Sequence, residues 1–203
     1  MKRIFRILTL VSLVSLLACN EAKREHDNGA YGKKEDSKEK AKDENDAKFK
    51  DNDMEKDADF VANTVAANYG EIKFAQLANQ RSSNAEVKHI ASMLVTDHTK
   101  TLNELKKFAH SKSISIPVEE DDAARRKTDR FSDEAGKDFD KKWTKEMIDR
   151  HEETINKFEK RLDKTEDADL KAWINKTLPT LRHHLDQLNT CNEKIKNSND
   201  KNG

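Results

Sequence analysis

The chain has 203 residues, and its 39 Lys and Arg match its 39 Asp and Glu, so the formal charge is zero. That balance excludes the net basic surface on which nucleic-acid binding depends. Charged residues of both signs make up 38% of the sequence, which points to helices with solvated, ion-paired faces, and 5 Gly with 2 Pro are too few for the turns of a β-sandwich or barrel.

Residues 1–18 read as a bacterial lipoprotein signal peptide. Lys2, Arg3 and Arg6 are positive, Ile7 to Leu17 are apolar, and small Ala18 precedes Cys19. The apolar run is shorter than the ~20 residues of a spanning helix. An ordinary secretory signal cut nearby is the alternative, but it would have no use for a thiol at this position. The expectation is therefore a lipidated Cys19 that holds the mature chain to a membrane of the bacterial cell envelope, at the outer membrane or its periplasmic face. Lipidation consumes Cys19 and leaves Cys191 without an intrachain partner, so Cys191 reads as a small buried hydrophobe. Residues 19–53 are expected to form a disordered linker, because a mostly charged segment cannot bury enough surface to offset its ordering entropy.

From residue 54 to 197 the pattern is helical. The first helix opens near Asn52 and Glu55, a capping-box pair, and carries Val61, Val65, Asn68, Ile72, Ala75 and Leu77 on one face. Gly70 inside it costs ~1 kcal/mol against Ala, so a close packing contact is expected there. The second helix opens at the pair Ser83 and Glu86, with the stripe Val87, Ala91, Leu94, His98, Leu102, Leu105 and Ala109. A link over 112–135 contains Pro117 and a short polar helix from Glu119 to about Arg130. The third helix follows Gly136, with Phe139, Trp143, Met147, His151, Thr154, Phe158 and Leu162. Thr165 is the expected N-cap of the fourth, which carries Leu170, Ile174, Leu178, Leu181, His184, Leu188, Cys191 and Ile195 and is expected to kink at Pro179. Residues 198–203 are expected to be a disordered tail.

A shift of 83 residues overlays Ile72 on Ile155, Ala85 on Ala168, Val87 on Leu170 and Leu105 on Leu188. Each half is a helix, a short polar turn and a helix. Short turns imply antiparallel neighbours, so the fold class expected is all-α, an antiparallel four-helix bundle of two hairpins.

The runs Ser83-Asn84-Ala85-Glu86-Val87-Lys88 and Met93-Leu94-Val95-Thr96-Asp97-His98 resemble a bacterial envelope family catalogued as domain of unknown function 4142. So do Gly136 with Phe139-Asp140, Met147-Ile148 with His151, and Thr177-Leu178-Pro179-Thr180-Leu181-Arg182 with His184-Leu185. The likeness spans about residues 56–192. It implies a ferritin-like four-helix fold in an exported or outer-membrane-associated protein, and it implies no activity. Arg150 and His183 stand where the family often has an acidic residue just before a histidine.

Three histidines, His98, His151 and His184, fall on the core stripes of three different helices, with Glu71 on the first helix and Asp97 beside His98. Inward Glu and His from facing helices are how carboxylate metal sites are built in bundles. Imidazole with carboxylate suits iron, manganese, zinc or copper. Against a paired-metal site, none of the three histidines closes a Glu-x-x-His, Asp97 and His98 point about 100° apart on a helix, and the repeat sets His98 opposite Leu181. The sequence therefore favours buried polar packing and a non-enzymatic, anchored interaction or stress-related role, with an envelope protein as the expected partner. A ferritin-like protein that stores, scavenges or passes electrons through a metal is the alternative. No nucleotide loop or serine-hydrolase elbow occurs.

Overall fold

The computed structural model describes residues 36–200, with side chains to residue 198. These form six helices and, among the described residues, no strand: α1 (Ser37–Lys48), α2 (Asn52–Arg81), α3 (Ala85–Ser111), α4 (Asp122–Ser132), α5 (Gly136–Leu162) and α6 (Ala168–Asp200). The signal peptide, Cys19 and the linker as far as residue 35 lie outside the described residues. No helix among the described residues is long and apolar enough to cross a membrane.

The expected linker is corrected over its C-terminal part, because residues 37–48 are helical. Polar contacts order α1 where apolar burial cannot. Asp36 caps it by accepting from the Lys38 amide, and the same carboxylate accepts from the Asp122 amide. Asn45 is fully buried; its Nδ2 donates to the Ser115 carbonyl at 2.9 Å and its Oδ1 accepts from the Ser115 amide at 2.7 Å. The tail is corrected too, since α6 continues to Asp200. Residues 201–203 lie outside the described residues.

Three caps differ from expectation by a residue or two. Asp51 caps α2, accepting from the amides of Asp53 and Met54. Asn84 caps α3, accepting from Glu86 and Val87. Asp167 accepts from the Leu170 amide at the start of α6. Thr165 instead accepts from the Asp167 amide and donates to Asp57 at 2.7 Å, which ties the α5–α6 turn to α2. The helix runs on through Pro179, which faces solvent.

The four long helices pair as α2 with α3 and α5 with α6, and α2 also packs on α5 as α3 does on α6. Along α3 and α6 the polar contacts run Glu86–Lys194, Asp97–His184 and Glu104–Lys176, one number rising as the other falls. Between α2 and α5, Asp57 meets Arg161 and the Phe74 carbonyl meets Trp143. Both pairs of neighbours are therefore antiparallel.

The interior has two apolar clusters. One gathers Phe74, Val87, Leu94, Trp143, Met147 and Leu188. The other gathers Val65, Leu102, Leu105, Phe158, Leu170 and Ile174. In every long helix the sequence between these two sets carries a buried polar residue: Asn68 and Glu71, His98, His151, and His184. A polar layer thus crosses the middle of the core. Gly70 serves the α2–α4 contact, since a Cβ there would lie 3.0 Å from the Cβ of Ala124.

Candidate metal centre

The polar layer brings together all three stripe histidines. His98 is 4% exposed, His151 0% and His184 1%. One ring nitrogen from each lies within 4.8 Å of the others. The ring centroids are 5.3–5.6 Å apart. The repeat-based register that set His98 opposite Leu181 is corrected: α3 and α6 pair at Asp97–His184, which puts His98 and His184 side by side.

Hydrogen bonds on the outer nitrogens fix the tautomers. His151 Nδ1 lies 2.9 Å from the Met147 carbonyl, which only accepts, so Nδ1 carries the proton and Nε2 keeps a lone pair. His184 Nε2 lies 2.9 Å from Asp97 Oδ2, so Nε2 donates and Nδ1 is the basic nitrogen. The other tautomer would set a lone pair against the carboxylate. Asn68 gives its Nδ2 to the Thr64 carbonyl at 2.8 Å, which turns its Oδ1 toward His98 Nδ1 at 3.0 Å. His98 Nδ1 is therefore the donor as well.

All three inner nitrogens are left facing the middle of the layer. His151 Nε2 and His184 Nδ1 stand 3.4 Å apart, two lone pairs opposed unless a proton or a metal ion lies between them. His98 Nε2 is 2.9 Å from Glu71 Oε2 without a directed hydrogen bond to it; with Nδ1 as the donor its lone pair faces the carboxylate, an opposition that a proton or a cation between them relieves. A histidine whose second nitrogen is tied to a carboxylate, carbonyl or amide oxygen is the arrangement that orients metal-bound imidazoles.

Electrostatics agree with a site poised for a cation. Burial alone would raise the Glu71 carboxyl, but the neighbouring His98 and His151 outweigh it and hold it at about 2. Burial pushes His151 down, and it pushes His184 down to about 4 against the opposing pull of Asp97. Neutral His151 and His184 beside the ionised Glu71 carboxylate are the forms in which these groups ligate.

The five residues singled out from sequence separate by role. His98, His151 and His184 supply the inner nitrogens, Glu71 supplies the adjacent anion, and Asp97 stands outside, one-third exposed, orienting His184. Asn68 is the residue that sequence reasoning missed: it sat on the first stripe among small residues, and only its bond to Thr64 reveals what it does. Arg150, in the position where the family often has an acid, turns away to Glu146 at 2.9 Å and stacks over Phe74.

Trp143 anchors the core and donates to the Phe74 carbonyl at 3.0 Å. Arg125, Arg126 and Lys127 are engaged with Asp122 and Glu146. Cys191 is buried, which pushes its thiol up to about 11 and makes it a poor nucleophile. A second group, Asp46, Glu55 and Asp59, is only half-buried and has Lys42 beside it, 2.7 Å from Asp46.

No curated protein and no solved structure matches the chain. A family model described as Domain of unknown function (DUF4142) matches residues 39–190, a span from the first turn of α1 into α6 that includes every residue of the polar layer. The chain belongs to that family.

Proposed function

We propose that the chain is a non-enzymatic, lipid-anchored protein of the bacterial envelope, and that its folded part, a ferritin-like four-helix bundle, binds one transition-metal ion between His98, His151 and His184. The observation that carries this reading is the convergence of three buried inner nitrogens whose outer nitrogens are all hydrogen-bonded to oxygen. A polar layer with no ligand to serve is an expensive feature at the centre of a core, because unpaired buried polar groups cost ~1–3 kcal/mol each.

Iron, manganese, zinc and copper all accept imidazole nitrogen with a carboxylate nearby. Glu71 would balance the charge of the ion and Asp97 would strengthen His184 as a ligand. Three nitrogens at ~2.1 Å from one ion lie at most ~4.2 Å apart, and the spacing here, within 4.8 Å, is in reach of that by small ring rotations. The role that follows is storage, scavenging or electron transfer at the membrane surface. An anchored bundle acting through a protein partner shares the anchor, but no feature of the described residues singles that role out.

The test is elemental analysis of untagged protein beside a His98→Ala/His184→Ala double variant. About one ion per wild-type chain, lost in the variant, supports the reading. Equal, substoichiometric metal in both overturns it. For the anchor, mass spectrometry of the protein from native membranes is expected to find residue 19 acylated, and Cys19→Ala is expected to release the chain.

A further inference from the structure

A cavity of about 820 Å³ opens between α2 and α5 and reaches the polar layer. Its volume falls within the ~300–1,000 Å³ range of sites for small organic ligands. One end is formed by Arg161, Lys160 and Lys164, the other by His98 and Glu71. Between them the walls are largely apolar: Phe60 and Phe158, edge to face at 5.0 Å, with Ala67 and Leu181.

The two ends differ in charge. Arg161 is 8% exposed and pairs through Nε with Asp57 at 2.7 Å, but neither its Nε nor its Nη2 makes a directed hydrogen bond. Asp57 already accepts from Thr165. Lys160 and Lys164 are exposed and pair with no carboxylate among the described residues. Two other lysines on the lining are spoken for, Lys157 by Glu153 and Lys38 by Asp121. The Arg161 end therefore has surplus positive charge, whereas the far end holds the Glu71 carboxylate. A long apolar slot with a cation at one end and an anion at the other sets the direction of an amphiphilic guest.

We propose that this cavity binds an organic anion with an apolar body, of the medium-chain carboxylate class, with its carboxylate at Arg161 and its chain along Phe60, Phe158 and Leu181. Guanidinium meets carboxylate through paired N–H donors, and it keeps its charge at every pH of interest. The walls contribute in proportion to the apolar area taken out of water. Glu71 repels a carboxylate entering the other way round. The inference does not rest on the metal reading: the two sites share only Asn68, Glu71 and His98, and anion binding is expected in metal-free protein.

The experiment is calorimetric titration of the full, chelator-treated chain with dodecanoate below its micellar concentration, and with dodecyltrimethylammonium as the cation of equal chain length. One dodecanoate per chain is expected, bound at least tenfold more tightly than the cation. Ala67→Trp, which adds bulk at an exposed wall position, is expected to weaken dodecanoate at least tenfold. Arg161→Gln is expected to do the same. Because that variant also breaks a buried ion pair, the exposed pair Lys160→Gln/Lys164→Gln is the second charge probe, with a several-fold loss and a shallower salt dependence expected. Equal affinity for the two amphiphiles, no binding of either, or full dodecanoate affinity in folded Ala67→Trp protein overturns the proposal. Loss of metal from a His151→Ala/His184→Ala variant, neither residue of which lines the cavity, with dodecanoate binding retained would separate the two sites.

Discussion

Acid should weaken this fold through His184, and the size of the effect follows from its surroundings. His184 is 1% exposed, and burial holds its pKa at about 4 against the pull of Asp97. A free imidazole titrates near ~6.5. The unfolded chain thus takes up a proton that the folded chain refuses. The stability this group contributes is complete above ~6.5 and is lost as the pH falls towards about 4. At ~1.4 kcal/mol per pH unit the interval is worth ~3 kcal/mol, and at ~2–4 °C per kcal/mol for a domain of this size it lowers Tm by ~6–12 °C. The assay is thermal unfolding by circular dichroism from pH 7.5 to 4, with chelator present so that no ion intervenes. His184→Gln keeps an N–H for Asp97 but cannot titrate. Its Tm is expected to fall markedly less over the window, with a residual slope from His151, which burial shifts the same way. Parallel Tm curves for the two proteins would refute the assignment of that slope to His184.

Two further substitutions probe the scaffold. Asn45→Ala removes both bonds to Ser115, whose half-buried backbone groups lose their partner, at a cost of ~1–3 kcal/mol; hydrogen exchange should speed up over Ser37–Lys48 before it changes in α5 and α6. Gly70→Ala gains ~1 kcal/mol of helix propensity but sets a Cβ 3.0 Å from that of Ala124, which is fixed to its own backbone. The expected outcome is a lower Tm that Ala124→Gly restores, and a raised Tm in the single variant would show that α4 yields freely.

The four long helices were legible because each repeats apolar residues at i, i+3 and i+4, a period that burial on one face enforces. α1 was not legible: Ala41 is its one buried apolar residue, and Asn45, Asp36 and Lys38 hold it through polar contacts that no hydropathy pattern records. The three histidines announced themselves by sitting on those stripes. Their convergence did not, because the internal repeat aligns residues equivalent in the two hairpins, whereas α3 and α6 touch in the antiparallel register Glu86–Lys194 to Glu104–Lys176. Asp97 looked misdirected for His98 and proved to serve His184 on the neighbouring helix. Arg161 carries no mark of burial in the sequence, because that burial depends on Asp57 more than 100 residues earlier in the chain.

The central claim is that three imidazoles share one ion at the centre of the core. X-ray absorption of protein loaded with zinc or iron tests it most directly. Three histidine nitrogens at ~2.0–2.1 Å are expected for zinc, and two in His151→Leu protein. A spectrum fitted by oxygen ligands alone, or one that His151→Leu leaves unchanged, would contradict it.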